Sequence, residues 1–151
     1  MRHSTVTALC ALVFAAVGFS ANAAAPYGLW MTANKRAIVE IAPCSDSACG
    51  RIVWMANAYE DDGSPKRDMN NPDESLRSQP LCGITLVGDL MPREREAELY
   101  GFIYNPRDGK KYSARVSSLA DDKIEMRGFL GLEIFGKSET WTRVAHRPSG
   151  C

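Results

Sequence analysis

Hydrophobic and polar positions alternate in short runs along most of the chain. The runs are rich in β-branched and aromatic residues and are broken by Gly, Pro, Asn and Asp. They fall at 28–32, 36–42, 50–56, 84–90, 96–105, 111–119, 123–129 and 137–144. No stretch carries the three-to-four-residue apolar spacing of a useful helix. Eight strands joined mostly by short turns predict an all-β domain, a small antiparallel up-and-down barrel or a sandwich. Pro106-Arg107-Asp108-Gly109 and Ala120-Asp121-Asp122 supply two of the turns. The alternation also assigns faces: Leu99, Gly101 and Ile103 oppose Tyr100, Phe102 and Tyr104, while Ala37, Val39 and Ile41 share one side.

Two stretches break the pattern. Residues 57–79 form a long polar connection with Asp61, Asp62, Asp68, Asn70, Asn71 and Asp73, and a single helical turn is expected after Pro72. The N-terminus is different in kind. Arg2 and His3 precede an apolar run at 6–19, and Ser20-Ala21-Asn22-Ala23-Ala24-Ala25 supplies small residues spaced for signal peptidase. This order reads as a secretory signal over 1–23, with cleavage as late as Ala25. The run is shorter than the ~20 residues of a spanning helix, so no membrane span is expected after cleavage. One domain over 26–146 and a tail at 147–151 then remain, placed in the periplasm or outside the cell.

Composition narrows the chemistry. The 18 basic and 18 acidic residues balance, so no field exists to capture nucleic acid. Of the five cysteines Cys10 lies in the apolar run, which leaves Cys44, Cys49, Cys82 and Cys151. An even number in an exported domain predicts disulfides, and four cysteines allow three pairings. The local choice is Cys44–Cys49 across a hairpin turn, which leaves Cys82–Cys151. The cysteine spacing is poor for zinc, and the long loop lacks the Asp-x-Asp-x-Asp-Gly spacing of a calcium loop, so no metal and no cofactor are expected. His146, beside the tail, is the one histidine outside the leader, and no nucleophile motif accompanies it.

The chain resembles the small secreted bacterial proteins of domain of unknown function 2147. The resemblance rests on Gly28-x-Trp30, Cys44, Cys49-Gly50, Ile52 and Trp54, then Asp62-x-x-Pro65, Asp68-x-x-Asn71-Pro72, Arg77, Pro80-Leu81 and Gly83. It continues through Gly101-x-Ile103-Tyr104-Asn105-Pro106, Gly109-Lys110-x-Tyr112, Arg127-Gly128-Phe129-x-Gly131, Gly136-Lys137 and Trp141-Thr142-Arg143. Lys137 stands where Arg is usual and Phe129 where Tyr is usual. The ends also resemble lipocalins, which open with Gly-x-Trp and close with a basic residue over that tryptophan. The resemblance implies structural roles for Gly28, Trp30 and Arg143, with a cation–π contact at the barrel base.

These features nominate sites. Asp68, Asn71 and Arg77 are expected to order the long loop over one barrel mouth. Trp54, Phe102, Tyr104, Tyr112 and Trp141 are core residues by default. In a hollow barrel they would line an apolar pocket with Arg127 as polar anchor. The leading expectation is an exported protein holding a small apolar or amphipathic ligand. A module that acts through its loops is the second reading. The third is a hydrolase-type enzyme with two inward carboxylates among Glu40, Glu98, Glu125, Glu133 and Glu139. The same glutamates also suit a solvated outer face paired with Arg36, Arg115 or Arg127.

Overall fold

A computed structural model of the protein describes residues 25–93 and 97–151; the expected signal segment lies outside the described residues. Eight strands close into one barrel in chain order: β1 Gly28–Met31, β2 Ala37–Cys44, β3 Ser47–Met55, β4 Thr85–Pro92, β5 Leu99–Asn105, β6 Lys110–Ala120, β7 Lys123–Phe129 and β8 Lys137–Val144. Every neighbouring pair is antiparallel, and β1 pairs with β8 to leave no edge. The predicted up-and-down barrel is therefore the fold.

The strand limits differ from the alternation most at β2 and β3. The ladder there runs to Cys44 opposite Ser47, so only Ser45 and Asp46 turn the chain. Ser45 takes the left-handed backbone (φ 50°), and Ser47 Oγ donates to the Cys44 carbonyl at 3.1 Å. The Cys44–Cys49 disulfide lies across this hairpin, and Cys82–Cys151 ties the C-terminal residue to the body. The turn after Pro72 is a 3-10 turn, Glu74–Leu76, capped by Asp73, whose carboxylate accepts from the Ser75 amide. A second 3-10 turn, Glu133–Phe135, follows β7.

The barrel's base holds both ends of the barrel chain and the β2–β3 and β6–β7 turns. Trp30 and Trp141, both almost wholly buried, fill it. The Arg143 guanidinium lies 4.2 Å from the Trp30 ring centre and donates to the carbonyls of Tyr27 and Asp121, both at 2.8 Å. Gly28 is required there: its φ is +125°, and a Cβ would come 2.5 Å from the arginine's Nη1. Around and above the tryptophans, Val39, Ile41, Ile52, Val87, Leu99, Val116, Ile124 and Met126 complete the buried core. Two open clefts mark the surface, one at the base beside Pro26 and Leu119, the other beneath the C-terminal tail. Among the described residues no helix is long and apolar enough to cross a membrane.

Candidate functional site

The opposite end is the mouth. It carries the β1–β2, β3–β4, β5–β6 and β7–β8 connections, including the long one. Alternation sets what points into it. On β8, Lys137, Glu139, Trp141 and Arg143 share one face, and buried Trp141 marks that face as inward. Lys137 and Glu139 are exposed, so they stand at the open rim above the core. Ile103, Tyr112 and Gly128 share the inward face of their own strands: a Cβ on Gly128 would lie 3.4 Å from Ile103 and 4.0 Å from the Tyr112 Cβ. Ala37, Met55, Leu81 and Ile103 pack on the core but stay partly exposed. The mouth is thus a shallow apolar cup with one ammonium, one carboxylate and one phenol at its rim.

Of the residues nominated from the sequence, Tyr112 lies in this cup and Trp141 lies below it, its indole N–H facing Glu139 at 3.5 Å. Phe102 is on the outer face, against Gly88 and under the Lys111 ammonium at 4.5 Å. Trp54 lies against Gly150 of the C-terminal tail. Arg127 is also outside the barrel, where it binds the carbonyl of Glu133 (2.9 Å), that of Ile134 and the Ser138 hydroxyl. These three side chains do not line an interior, because β-strand alternation turns each away from the buried positions beside it. Of the five candidate carboxylates Glu139 alone lies on an inward face, and the sequence reading does not place it and Lys137 together at the rim. Their signal was present as the Lys-x-Glu-x-Trp-x-Arg period of β8.

Asp68, Asn71 and Arg77 form a clasp. Asp68 is fully buried. One of its carboxyl oxygens accepts from the Tyr104 hydroxyl at 2.7 Å, and the other from the amides of Asn71 (2.7 Å) and Gln79 (3.3 Å). Arg77 Nε donates to the Asn71 carbonyl at 2.8 Å. The Asn70 side-chain amide donates to the carbonyls of Pro106 and Arg107 at 3.1 Å, so the loop is tied to the β5–β6 turn. Burial, then the bond to Asp68, pushes the Tyr104 hydroxyl well above its ordinary value of 10.0. Tyr112 rises too, chiefly through its bond to Asp108. The Tyr104 shift favours the folded state fully below pH 10 and fades as the pH climbs above it. In a near-ultraviolet absorbance titration, Tyr104 should supply a last step well above the ordinary value of 10.0. Tyr104→Phe should remove that last step; an unchanged titration would refute the assignment.

The carboxylates do not face one another inward. Glu98, Glu125 and Glu133 converge on Arg115 at 3.6, 3.0 and 2.8 Å, on the outer face of β5–β7. Burial lowers the Arg115 pKa, but the Glu125 hydrogen bond and the three charges outweigh it and raise it. Glu40 is exposed. Among the described residues no group of three or more His, Cys, Asp and Glu side chains is placed to hold a metal ion.

The comparisons with known proteins fit this geometry. None of the curated proteins compared is similar to the chain. A solved structure described as "Protein HP1028 from the human pathogen Helicobacter pylori belongs to the lipocalin family" is similar, with a TM-score of 0.65 and 25% identity over 79% of this chain and 82% of that one. Residues 28–143 match the family described as "Uncharacterized protein conserved in bacteria (DUF2147)". The chain, an eight-stranded lipocalin-like barrel from Gly28 to Val144, belongs to that bacterial family.

Proposed function

We propose that this protein is exported and binds a small amphipathic molecule in the mouth of its barrel. The observation that carries the reading is the partly exposed apolar ring of Ala37, Met55, Leu81 and Ile103 beneath Lys137, Glu139 and Tyr112. The core below is filled by Trp30, Trp141 and their neighbours, so the ligand sits shallowly. Its apolar part meets Ile103 and Met55, and its polar part meets the rim. The likeness to a structure described as belonging to the lipocalin family supports a binding role for the barrel, and two disulfides fit an oxidising compartment.

The test uses anilinonaphthalene sulfonate, an amphipathic anion that fluoresces in apolar surroundings, with native mass spectrometry of protein purified without refolding. The dye should bind and brighten. Ile103→Lys should abolish the signal and Lys137→Glu should weaken it about tenfold, the loss of one charge-assisted contact of about 1.4 kcal/mol. Thr140→Lys, on the outer face of β8, should change nothing. Dye that ignores the parent protein, or binds Ile103→Lys equally well, would overturn the reading.

The second reading, a module acting through its loops, is favoured by the apolar side chains of the β7–β8 connection.

A further inference from the structure

Residues 145–151 leave β8 and end on Cys151, which is bonded to Cys82. The segment joins no strand, and it makes no hydrogen bond or ion pair with the described residues. Its Gly150 lies on the Trp54 indole, so closely that a Cβ there would come 3.0 Å from Nε1. Beneath it is the open cleft walled by Ile52, Val53 and Gly83. Trp54 faces outward beside its cross-strand partner Ile38, which is buried. One covalent bond thus holds a segment without other polar ties over an apolar part of the outer wall.

The second disulfide has different surroundings. Cys44 and Cys49 sit on paired strands, with Cys44 opposite Ser47 and Cys49 opposite Ala42, and both are half-buried. If their bond opens, the ladder keeps the two sulfurs together and the bond recloses. Once Cys82–Cys151 opens, Cys151 swings on an unpaired segment. A thiol on such a tether meets its partner at an effective concentration of about millimolar, far below that of one fixed across a hairpin. Access points the same way. Cys151 is exposed, whereas Cys82, Cys44 and Cys49 are half-buried, and exchange begins at the sulfur that an incoming thiolate reaches.

We infer that the Cys82–Cys151 disulfide is a reducible latch, which a dithiol opens in the folded protein to lift residues 145–151 from Trp54. One thiolate of the dithiol attacks the Cys151 sulfur. The Cys82 sulfur leaves with the bonding pair and takes a proton. The second thiolate of the dithiol then attacks its own chain's sulfur in the mixed disulfide, and Cys151 leaves and is protonated. The protein gains two electrons and two protons, and the dithiol becomes a disulfide. Neither Cys82 nor Cys151 belongs to a strand, so the closed barrel keeps its ladder throughout. The inference goes beyond ligand binding and does not depend on it.

The test titrates the oxidised protein with mixtures of reduced and oxidised dithiothreitol. Thiols are trapped with iodoacetamide and located by peptide mass spectrometry, and tryptophan emission and far-ultraviolet circular dichroism are read on the same samples. Cys82 and Cys151 should be half trapped at a reduced-to-oxidised ratio at least about tenfold below that for Cys44 and Cys49. Trp30 and Trp141 are almost wholly buried, so Trp54 reports the segment. Emission should move to the red in step with the first pair and return on reoxidation, with the circular dichroism unchanged. Trp54→Phe should lose the emission step but keep the order of thiols. Cys44→Ser/Cys49→Ser should keep the emission step at the same ratio. Opening of both pairs together, or of the hairpin pair first, would overturn the inference. So would an emission that stays fixed while Cys82–Cys151 opens. Loss of the circular dichroism signal in that same step would overturn it too, since the bond would then be a staple of the barrel and not a latch on it.

Discussion

Asp68→Ala is expected to cost about 3 kcal/mol of stability, the largest single-residue effect outside the tryptophans. The carboxyl group is fully buried and takes three hydrogen bonds, from Tyr104, Asn71 and Gln79. Truncation leaves the Tyr104 hydroxyl and the buried Asn71 amide without an acceptor. Each orphaned donor costs about 1–3 kcal/mol, and the lost bonds cannot be made to water in a buried site. Asp68→Asn should fall in between. It keeps an oxygen for Tyr104 but brings an amide donor against those of Asn71 and Gln79. Tyr104→Phe removes one partner and should cost about 1–2 kcal/mol. Because the three groups share one network, the double variant Asp68→Ala/Tyr104→Phe should cost less than the sum of its parts. Urea denaturation of the four proteins measures this. An Asp68→Ala midpoint within error of the parent would show that the clasp does not hold the loop.

That clasp marks the boundary of what sequence reasoning reaches here. The strands were legible because a barrel wall imposes a period of two on every segment, and Gly, Pro, Asn and Asp end each one. The base was legible for a different reason. Gly28, Trp30 and Arg143 lie at opposite ends of the chain but carry complementary shapes, a missing Cβ, an indole face and a planar cation. The long loop was legible only as a list of turn-forming residues. Its fold depends on Asp68 meeting Tyr104, 36 positions away, and local composition does not encode such a pairing. Trp54, Phe102 and Arg127 were nominated as pocket residues for their chemistry, yet alternation settles their direction, and each lies on the outside. Applied to β8, the same alternation singles out Lys137 and Glu139. The apolar tip was the least legible part. The run Leu130-Gly131-Leu132-Glu133-Ile134-Phe135 lies between two strands, and its side chains stand outside because Arg127 and Arg115 hold its polar groups inward.

The two disulfides should differ in what their removal costs. Cys44 and Cys49 are 5 residues apart, and Cys82 and Cys151 are 69 apart. If the bond acts mainly by restricting the unfolded chain, the short loop is worth about 2 kcal/mol and the long one about 4 kcal/mol. Cys82→Ser/Cys151→Ser should therefore destabilise roughly twice as much as Cys44→Ser/Cys49→Ser. Structure points the same way. The β2–β3 hairpin retains its backbone ladder and the Ser47–Cys44 hydrogen bond when its sulfurs part. The tail has no strand to hold it, and losing its anchor frees Gly150 from Trp54. Trp30 and Trp141 are almost wholly buried, so Trp54 is the tryptophan whose surroundings change. Cys82→Ser/Cys151→Ser should shift the emission of the folded protein to the red before any unfolding, and Cys44→Ser/Cys49→Ser should leave it unmoved. Equal losses from the two pairs, with no change in emission, would mean that the tail stays docked by its own contacts. The long disulfide would then act in the folded state rather than through the chain it closes.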